Sequence, residues 1–264
     1  MDLGISGRVA IVGGSSRGMG KATAQALARE GANVVLCARN AEELDRAAEE
    51  IAAATNRDQV LPIAGDMSRQ EDVTRVVDGA MQRWGHIDIV VNNIGGPPPG
   101  QPLEFTDNDW IAAFDLSFFS VVRMCRGVVP IMLRNRWGRI INILSLSVRQ
   151  PEDNLALSTV ARTAVMAYAK TLSMELAPDG ITVNNVLPGS IATERLQAVA
   201  EMQARFHGRD LANAMEDRLA LVPLSRLGRP EEMADLICFL ASDRAGFMTG
   251  LSIALDGGQL RAMV

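Results

Sequence analysis

The stretch AIVGGSSRGMGKATAQALA, residues 10–28, decides how this chain folds. It opens as a short apolar run of the kind that makes a buried strand. It closes as an alanine-rich segment suited to a helix, and between the two stand Gly14, Gly18 and Gly20. Glycine lets the backbone turn sharply there, and a helix that starts straight after the turn leaves its first N–H groups without partners. Strand, glycine turn and helix make one βα unit.

The same alternation extends outward to both ends of the chain. Apolar runs suited to buried parallel strands occur at Arg8 to Gly13, Asn33 to Cys37, Gln59 to Ala64, Ile87 to Asn92, Arg139 to Leu144, Thr182 to Leu187 and Ser252 to Leu255. Helix-length segments lie between them. Their start signals are Asn40 before AEELDRAAEEIAAA, a capping box of Ser68 with Glu71, and Pro230 followed by Glu231 and Glu232. The pattern predicts a doubly wound α/β fold of the Rossmann type, a seven-stranded parallel sheet with helices on both faces and ligands beyond the carboxyl ends of the strands. No composition break divides the chain, so residues 1–264 are expected to form one domain. The stretch from Gly189 to about Arg229 is the exception: it reads as mostly helical and interrupts the last βα unit, as a flap over the site at about 190–228 would.

Composition narrows the partners. With 48% hydrophobic and 22% charged residues the 264-residue chain has the balance of a globular protein with a substantial core. A formal charge of −5 and no basic run argue against nucleic acid or an anionic membrane, leaving a small molecule as the expected partner. Cys37, Cys125 and Cys238 lie far apart among apolar neighbours and read as reduced core thiols. No metal is expected. The N-terminus lacks the basic-then-apolar order of a secretory signal, and no apolar run approaches the roughly 18 residues that cross a bilayer, so a cytoplasmic location is expected.

The glycine turn has the chemistry of a dinucleotide site. Its glycines let the backbone approach a pyrophosphate, and the helix N-terminus presents N–H groups and a partial positive charge to it. Gly14, Ser16, Arg17, Gly18, Met19 and Gly20 are therefore candidate cofactor residues. NAD-specific sites place a carboxylate at the end of the second strand, where it would repel a 2′-phosphate. Here that strand runs into Arg39 and Asn40, and Arg39 with Arg17 offers two guanidinium forks for a phosphate. NADP(H) is the expected cofactor.

Further features fall where such a site needs them. Asp66 and Met67 follow the third strand, Asn92-Asn93-Ile94-Gly95 ends the fourth, Pro188-Gly189 is followed by Thr193, and Asp256-Gly257-Gly258 closes the chain. With the glycine turn, these resemble the short-chain dehydrogenase/reductase family over essentially the whole length. The resemblance implies that Asp66 contacts adenine, that Asn93 and Gly95 border the adenosine ribose, and that Pro188, Gly189, Ile191 and Thr193 lie toward the nicotinamide. It also implies a homotetramer or dimer.

The resemblance breaks at the catalytic positions. Oxidoreductases of the family carry an Asn, a Ser, and a Tyr followed four residues later by a Lys. The serine is Ser145, but the other positions read Asp115, Ser158 and Arg162. A phenol beside an ammonium can hand a proton to a carbonyl oxygen, whereas an aliphatic hydroxyl is a much weaker acid. Loss of a positioned general acid forfeits about 10²–10⁴-fold in rate. Arg162 keeps the positive charge and could hold the nicotinamide ribose, and Asp115 is expected to pair with it. Substitute acids within reach on flap closure are His207, Glu152 and Asp153; Tyr168, the single tyrosine, lies off the face shared by Ser158 and Arg162 and reads as packing. Three functions remain open: an NADP(H)-dependent reductase or dehydrogenase acting on a carbonyl or alcohol, such as a 3-oxoacyl or keto compound; a dinucleotide-binding protein without redox turnover; and a lyase or isomerase using the same pocket.

Overall fold

The structure is a computed structural model that describes residues 2–206, 208 and 210–262. Strands β1 (Val9–Gly13), β2 (Asn33–Ala38), β3 (Val60–Ala64), β4 (Ile89–Asn92), β5 (Gly138–Ile143), β6 (Ile181–Pro188) and β7 (Ser252–Leu255) form one sheet in the order β3-β2-β1-β4-β5-β6-β7. Every neighbouring pair is parallel. The expected strands are present, shifted by one or two residues at their ends. Between β3 and β4 the chain passes over β1, so the strand order reverses beside β1 and opens a crevice at its carboxyl end.

The helices are α1 (Gly18–Arg29), α2 (Ala41–Ala54), α3 (Gln70–Trp84), α4 (Asp107–Phe114), α5 (Ser120–Asn135), α6 (Ala156–Leu176), α7 (Glu194–Phe206), α8 (Leu211–Ala220) and α9 (Pro230–Leu240). Two apolar layers hold the sheet between them. One buries Ile11, Val90, Ile140 and Val183 against Val73, Val128 and Val165 of α3, α5 and α6. The other buries Val12, Val91, Ile141 and Val186 against Leu27, Leu44 and Ile237 of α1, α2 and α9. Alternation along each strand assigns successive residues to opposite layers, and burial on both faces explains the continuous apolar runs in the sequence.

Asn40 caps α2 as expected, its side-chain Oδ1 accepting from the Glu43 N–H at 3.2 Å. Pro230 opens α9, with Glu232 accepting from the Arg229 N–H at 2.8 Å. The expected Ser68–Glu71 box does not form: α3 starts two residues after Ser68, whose N–H and hydroxyl donate to Asp66, and Glu71 pairs with Arg69. The nearer carboxylate of Asp66 closes a tight local turn and outcompetes the helix end for the serine.

The bilayer expectation also needs correcting. α4, a π turn at Asp115–Phe119 and α5 run on as one helix, Asp107–Asn135, long and apolar enough by length and composition to cross a membrane. Half of its most apolar window is buried in the fold. Isolated charges such as Asp115 and Arg123 break the run to the eye without lowering its average much. The three cysteines are free and buried as expected, and desolvation pushes each thiol up to about 12.

Candidate active site

The glycine turn is shaped by close approach. Gly14 and Gly18 adopt left-handed conformations (φ 55° and 57°), and a Cβ on Gly20 would lie 2.2 Å from the carbonyl oxygen of Gly14. Asn93 reaches across from the end of β4, its amide donating to the carbonyls of Gly13 at 3.1 Å and Gly14 at 3.3 Å. Ser15, which sequence reading passed over, ties the turn to β2: its hydroxyl donates to the Val12 carbonyl at 2.9 Å and accepts from the Cys37 N–H at 2.8 Å. Arg17 precedes α1 in an extended conformation, with no side chain capping the helix and no acid in its first turn. The turn therefore holds a helix N-terminus open, with Ser16 and Met19 partly exposed beside it.

Around this turn the other expected cofactor residues take distinct roles. Arg39 is exposed after β2 and makes no hydrogen bond or ion pair among the described residues. Arg17 pairs with Glu194 at 2.7 Å, at the first residue of the flap helix α7. Asp66 is fixed by Ser68, and its own N–H donates to Asp72 at 2.8 Å, but the side chain of Met67 packs in the core. Gly95 is exposed, with open space where a Cβ would be. Pro188 ends β6. Gly189 abuts Asp256, whose Cβ lies 2.6 Å from where a Cβ on the glycine would stand. Ile191 is buried and bridges Gly228, and the Thr193 methyl faces Gly18 across the mouth of the crevice.

Ser145 follows β5, its hydroxyl accepting from the Ser147 N–H at 3.1 Å. Ser158 and Arg162 stand one helical turn apart on α6, and the Arg162 Nε donates to the Ser158 oxygen at 3.2 Å. The remaining guanidinium nitrogens of Arg162 donate to the carbonyls of Ile143 at 3.0 Å and Ile94 at 3.2 Å, joining α6 to the ends of β5 and β4. Burial first, and then the charge of Arg195, lowers its pKa to about 10, so it stays protonated at neutral pH.

The expected Asp115–Arg162 pair is absent. Asp115 pairs with Arg123 at 2.7 Å, two turns along the same helix, and Arg123 also donates to the Ser68 carbonyl. The π turn beginning at Asp115 sets its carboxylate toward this neighbour, whereas Arg162 is saturated by nearby carbonyls. Of the substitute acids, Glu152 is bound to Arg218 of α8 at 3.1 Å, Asp153 is exposed, and His207 lies outside the described residues. Tyr168 is packing, as its spacing indicated: it stacks edge-on with Phe118, bonds Cys125 and has its hydroxyl pushed well up by burial. Sequence reading missed Arg195, whose Nη2 donates to the Pro97 carbonyl at 3.3 Å. Nothing in the local pattern of α7 distinguishes it from a solvated helix charge.

This combination of a doubly wound sheet, an open helix N-terminus behind a glycine turn and a serine after β5 defines a nucleotide-binding oxidoreductase architecture. The family model described as "Enoyl-(Acyl carrier protein) reductase" matches residues 14–259, and the chain belongs to the short-chain dehydrogenase/reductase family. It is 32% identical to the NADPH-dependent reductase BacG of Bacillus subtilis, over 98% of this chain and 100% of that one. It is 34% identical to a 3-oxoacyl-[acyl-carrier-protein] reductase of Synechocystis, over 97% and 98% of the two chains. L-Sorbose reductase of Gluconobacter frateurii, solved with NADPH and L-sorbose, superposes with a TM-score of 0.93 at 35% identity, covering 100% of both chains.

Proposed function

We propose that the protein is an NADP(H)-dependent oxidoreductase that interconverts a carbonyl and an alcohol. The observation that carries this reading is the turn from Gly14 to Gly20, whose cradle a Cβ at position 20 would fill and whose helix end has no side-chain cap or nearby acid of its own. That shape and charge suit a pyrophosphate. Arg39, with no partner among the described residues, and Arg17 in the glycine turn, with no carboxylate at the end of β2, favour a 2′-phosphate over a bare ribose. The relatives' own dependence on NADPH supports the same choice.

In this reading Gly14, Ser16, Gly18, Met19 and Gly20 hold the pyrophosphate, Arg17, Arg39 and Asn40 the 2′-phosphate end, Asp66 and Met67 the adenine, and Asn93 and Gly95 the ribose. Pro188, Gly189, Ile191 and Thr193 border the nicotinamide. When bound, the dinucleotide supplies a hydride to the carbonyl carbon, and the carbonyl oxygen takes up one proton. Ser158 and Arg162 stand where the family's Tyr and Lys would be. Arg162 donates to Ser158, whose own O–H has no acceptor among the described residues and can donate to a substrate oxygen beside Ser145. Serine being a weak acid, the proton reaches that oxygen by way of water, which makes turnover slow. Residues 1–264 act as one domain with the flap at about 190–228 closing the site. The reading includes a cytoplasmic location and a homotetramer or dimer; exposed Ile111, Phe119 and Val160 between α4 and α6 support the association.

The test is NADPH binding by fluorescence, followed by absorbance loss against ketones, 3-oxoacyl thioesters and keto sugars. Binding with turnover supports the reading. Binding without turnover across the panel favours a dinucleotide-binding protein that has lost redox chemistry, the reading that Ser158 in place of a phenol supports; proton exchange without redox would favour a lyase or isomerase.

A further inference from the structure

At the mouth of the site the charges do not balance. Three carboxylates on the surrounding elements are engaged elsewhere, Asp115 with Arg123, Glu152 with Arg218 and Glu194 with Arg17, and Asp153 is exposed. Among the described residues, Arg162 and Arg195 have neutral partners alone: Arg162 donates to a serine oxygen and two carbonyls, and Arg195 donates to the Pro97 carbonyl. They grip one loop three residues apart, at Ile94 and Pro97. Arg195 is close enough for its charge to act on Arg162, and neither guanidinium has a carboxylate partner among the described residues.

The loop shows which part of a ligand they face. From Pro97 it continues to Gly100, which bridges Leu155 and whose N–H bonds the Asn154 carbonyl at 2.9 Å; Gln101 bonds the Asn154 side chain at 2.9 Å. Residues 97–101 thus form a wall ending at the start of α6, just before Ser158. Arg195 meets this wall at Pro97. Its side chain is largely exposed, but Nη2 turns inward, within 2.7 Å of where a Cβ on Gly96 would lie.

We propose that Arg195, with Arg162 behind it, forms an anion cradle on the substrate side, so that the preferred substrate is a carbonyl compound bearing a carboxylate, of the oxo-acid class. The inference rests on the oxidoreductase reading above. A carboxylate entering the cleft pairs with the guanidinium of Arg195 through donors that Pro97 does not occupy and offsets the charge that Arg195 places on Arg162. An uncharged ketone gains neither.

The experiment compares acetoacetate with ethyl acetoacetate and butanone at saturating NADPH, in the unaltered protein and in Arg195→Met and Arg195→Lys. For Arg195→Met the rise in KM for acetoacetate is expected to exceed the rise for the neutral ketones by about 30-fold or more, the scale of losing one partner of a desolvated charge pair. Arg195→Lys is expected to recover part of it. Equal effects on acid and neutral substrates overturn the proposal. So does a rise in the NADPH dissociation constant as large as the rise in KM, since the anion held would then be the dinucleotide's own. Calorimetric titration of oxalate into the NADP⁺-loaded protein provides a readout independent of turnover. Binding that weakens in Arg195→Met supports the cradle even if no substrate is reduced, whereas no oxalate heat in a protein that reduces ketones overturns the cradle and leaves the oxidoreductase reading standing.

Discussion

The two ends of the sheet handle charge in opposite ways. At the amino end, Trp137 is sandwiched between Arg8 and Arg139, their guanidinium carbons 3.8 Å and 4.2 Å from the ring centroid, and its indole N–H donates to Asp243 at 3.0 Å. Arg139, only 4% exposed, donates to the carbonyls of Gly138, Gly180 and Ser242, and buried Asp88 accepts from Arg8 and from the Val9 N–H. Each cation there has an aromatic face or an anion beside it, so the cluster's charge is spent on the fold. At the carboxyl end, Arg162, Arg195 and Arg39 lack any carboxylate among the described residues. The amino end thus serves stability, whereas in the function proposed above the carboxyl end keeps its charge for a ligand, because uncompensated positive charge costs free energy that an anion from outside can offset.

That contrast can be broken or sharpened at several points. The largest expected effect is a gain: restoring the phenol and ammonium with Ser158→Tyr and Arg162→Lys together should raise kcat by about 10²–10⁴-fold with little change in melting temperature. Steady-state rates on the best ketone check it, and no gain would mean that these positions do not correspond to the family's acid. At the opposite end, Arg139→Met leaves three backbone carbonyls without their donor and should lower unfolding stability by about 3 kcal/mol while NADPH affinity holds. Urea unfolding alongside fluorescence titration measures both. Gly20→Ala should do the reverse, weakening NADPH binding by about tenfold or more as the turn opens to relieve a 2.2 Å contact. The smallest effect is expected from Glu194→Gln. Releasing Arg17 from an exposed pair should tighten NADPH by no more than about 1 kcal/mol, an advantage that fades as salt is added.

Much of the fold was legible because it depends on periodicities. Runs such as Val34 to Cys37 and Ile140 to Ile143 are apolar without alternation because both faces are covered, and that alone implies a parallel sheet between helices. The glycine turn was legible because only glycine tolerates the backbone angles and contacts at positions 14, 18 and 20. The site was less so. Asp115 looked like a partner for Arg162 when only their places in a motif were known, and the π turn gave it to Arg123 instead.

Local patterns in the chain were thus enough for the architecture and for the glycine turn, since each is written in residues near one another or in a fixed period. The choice of partners waited for the folded chain. Arg195 becomes significant only when α7 lies over the loop after β4, and Asn93 only when β4 lies beside β1 and its amide reaches the carbonyls of Gly13 and Gly14. Pairing energies depend on distances between residues far apart in sequence, and those distances exist only once the sheet has assembled.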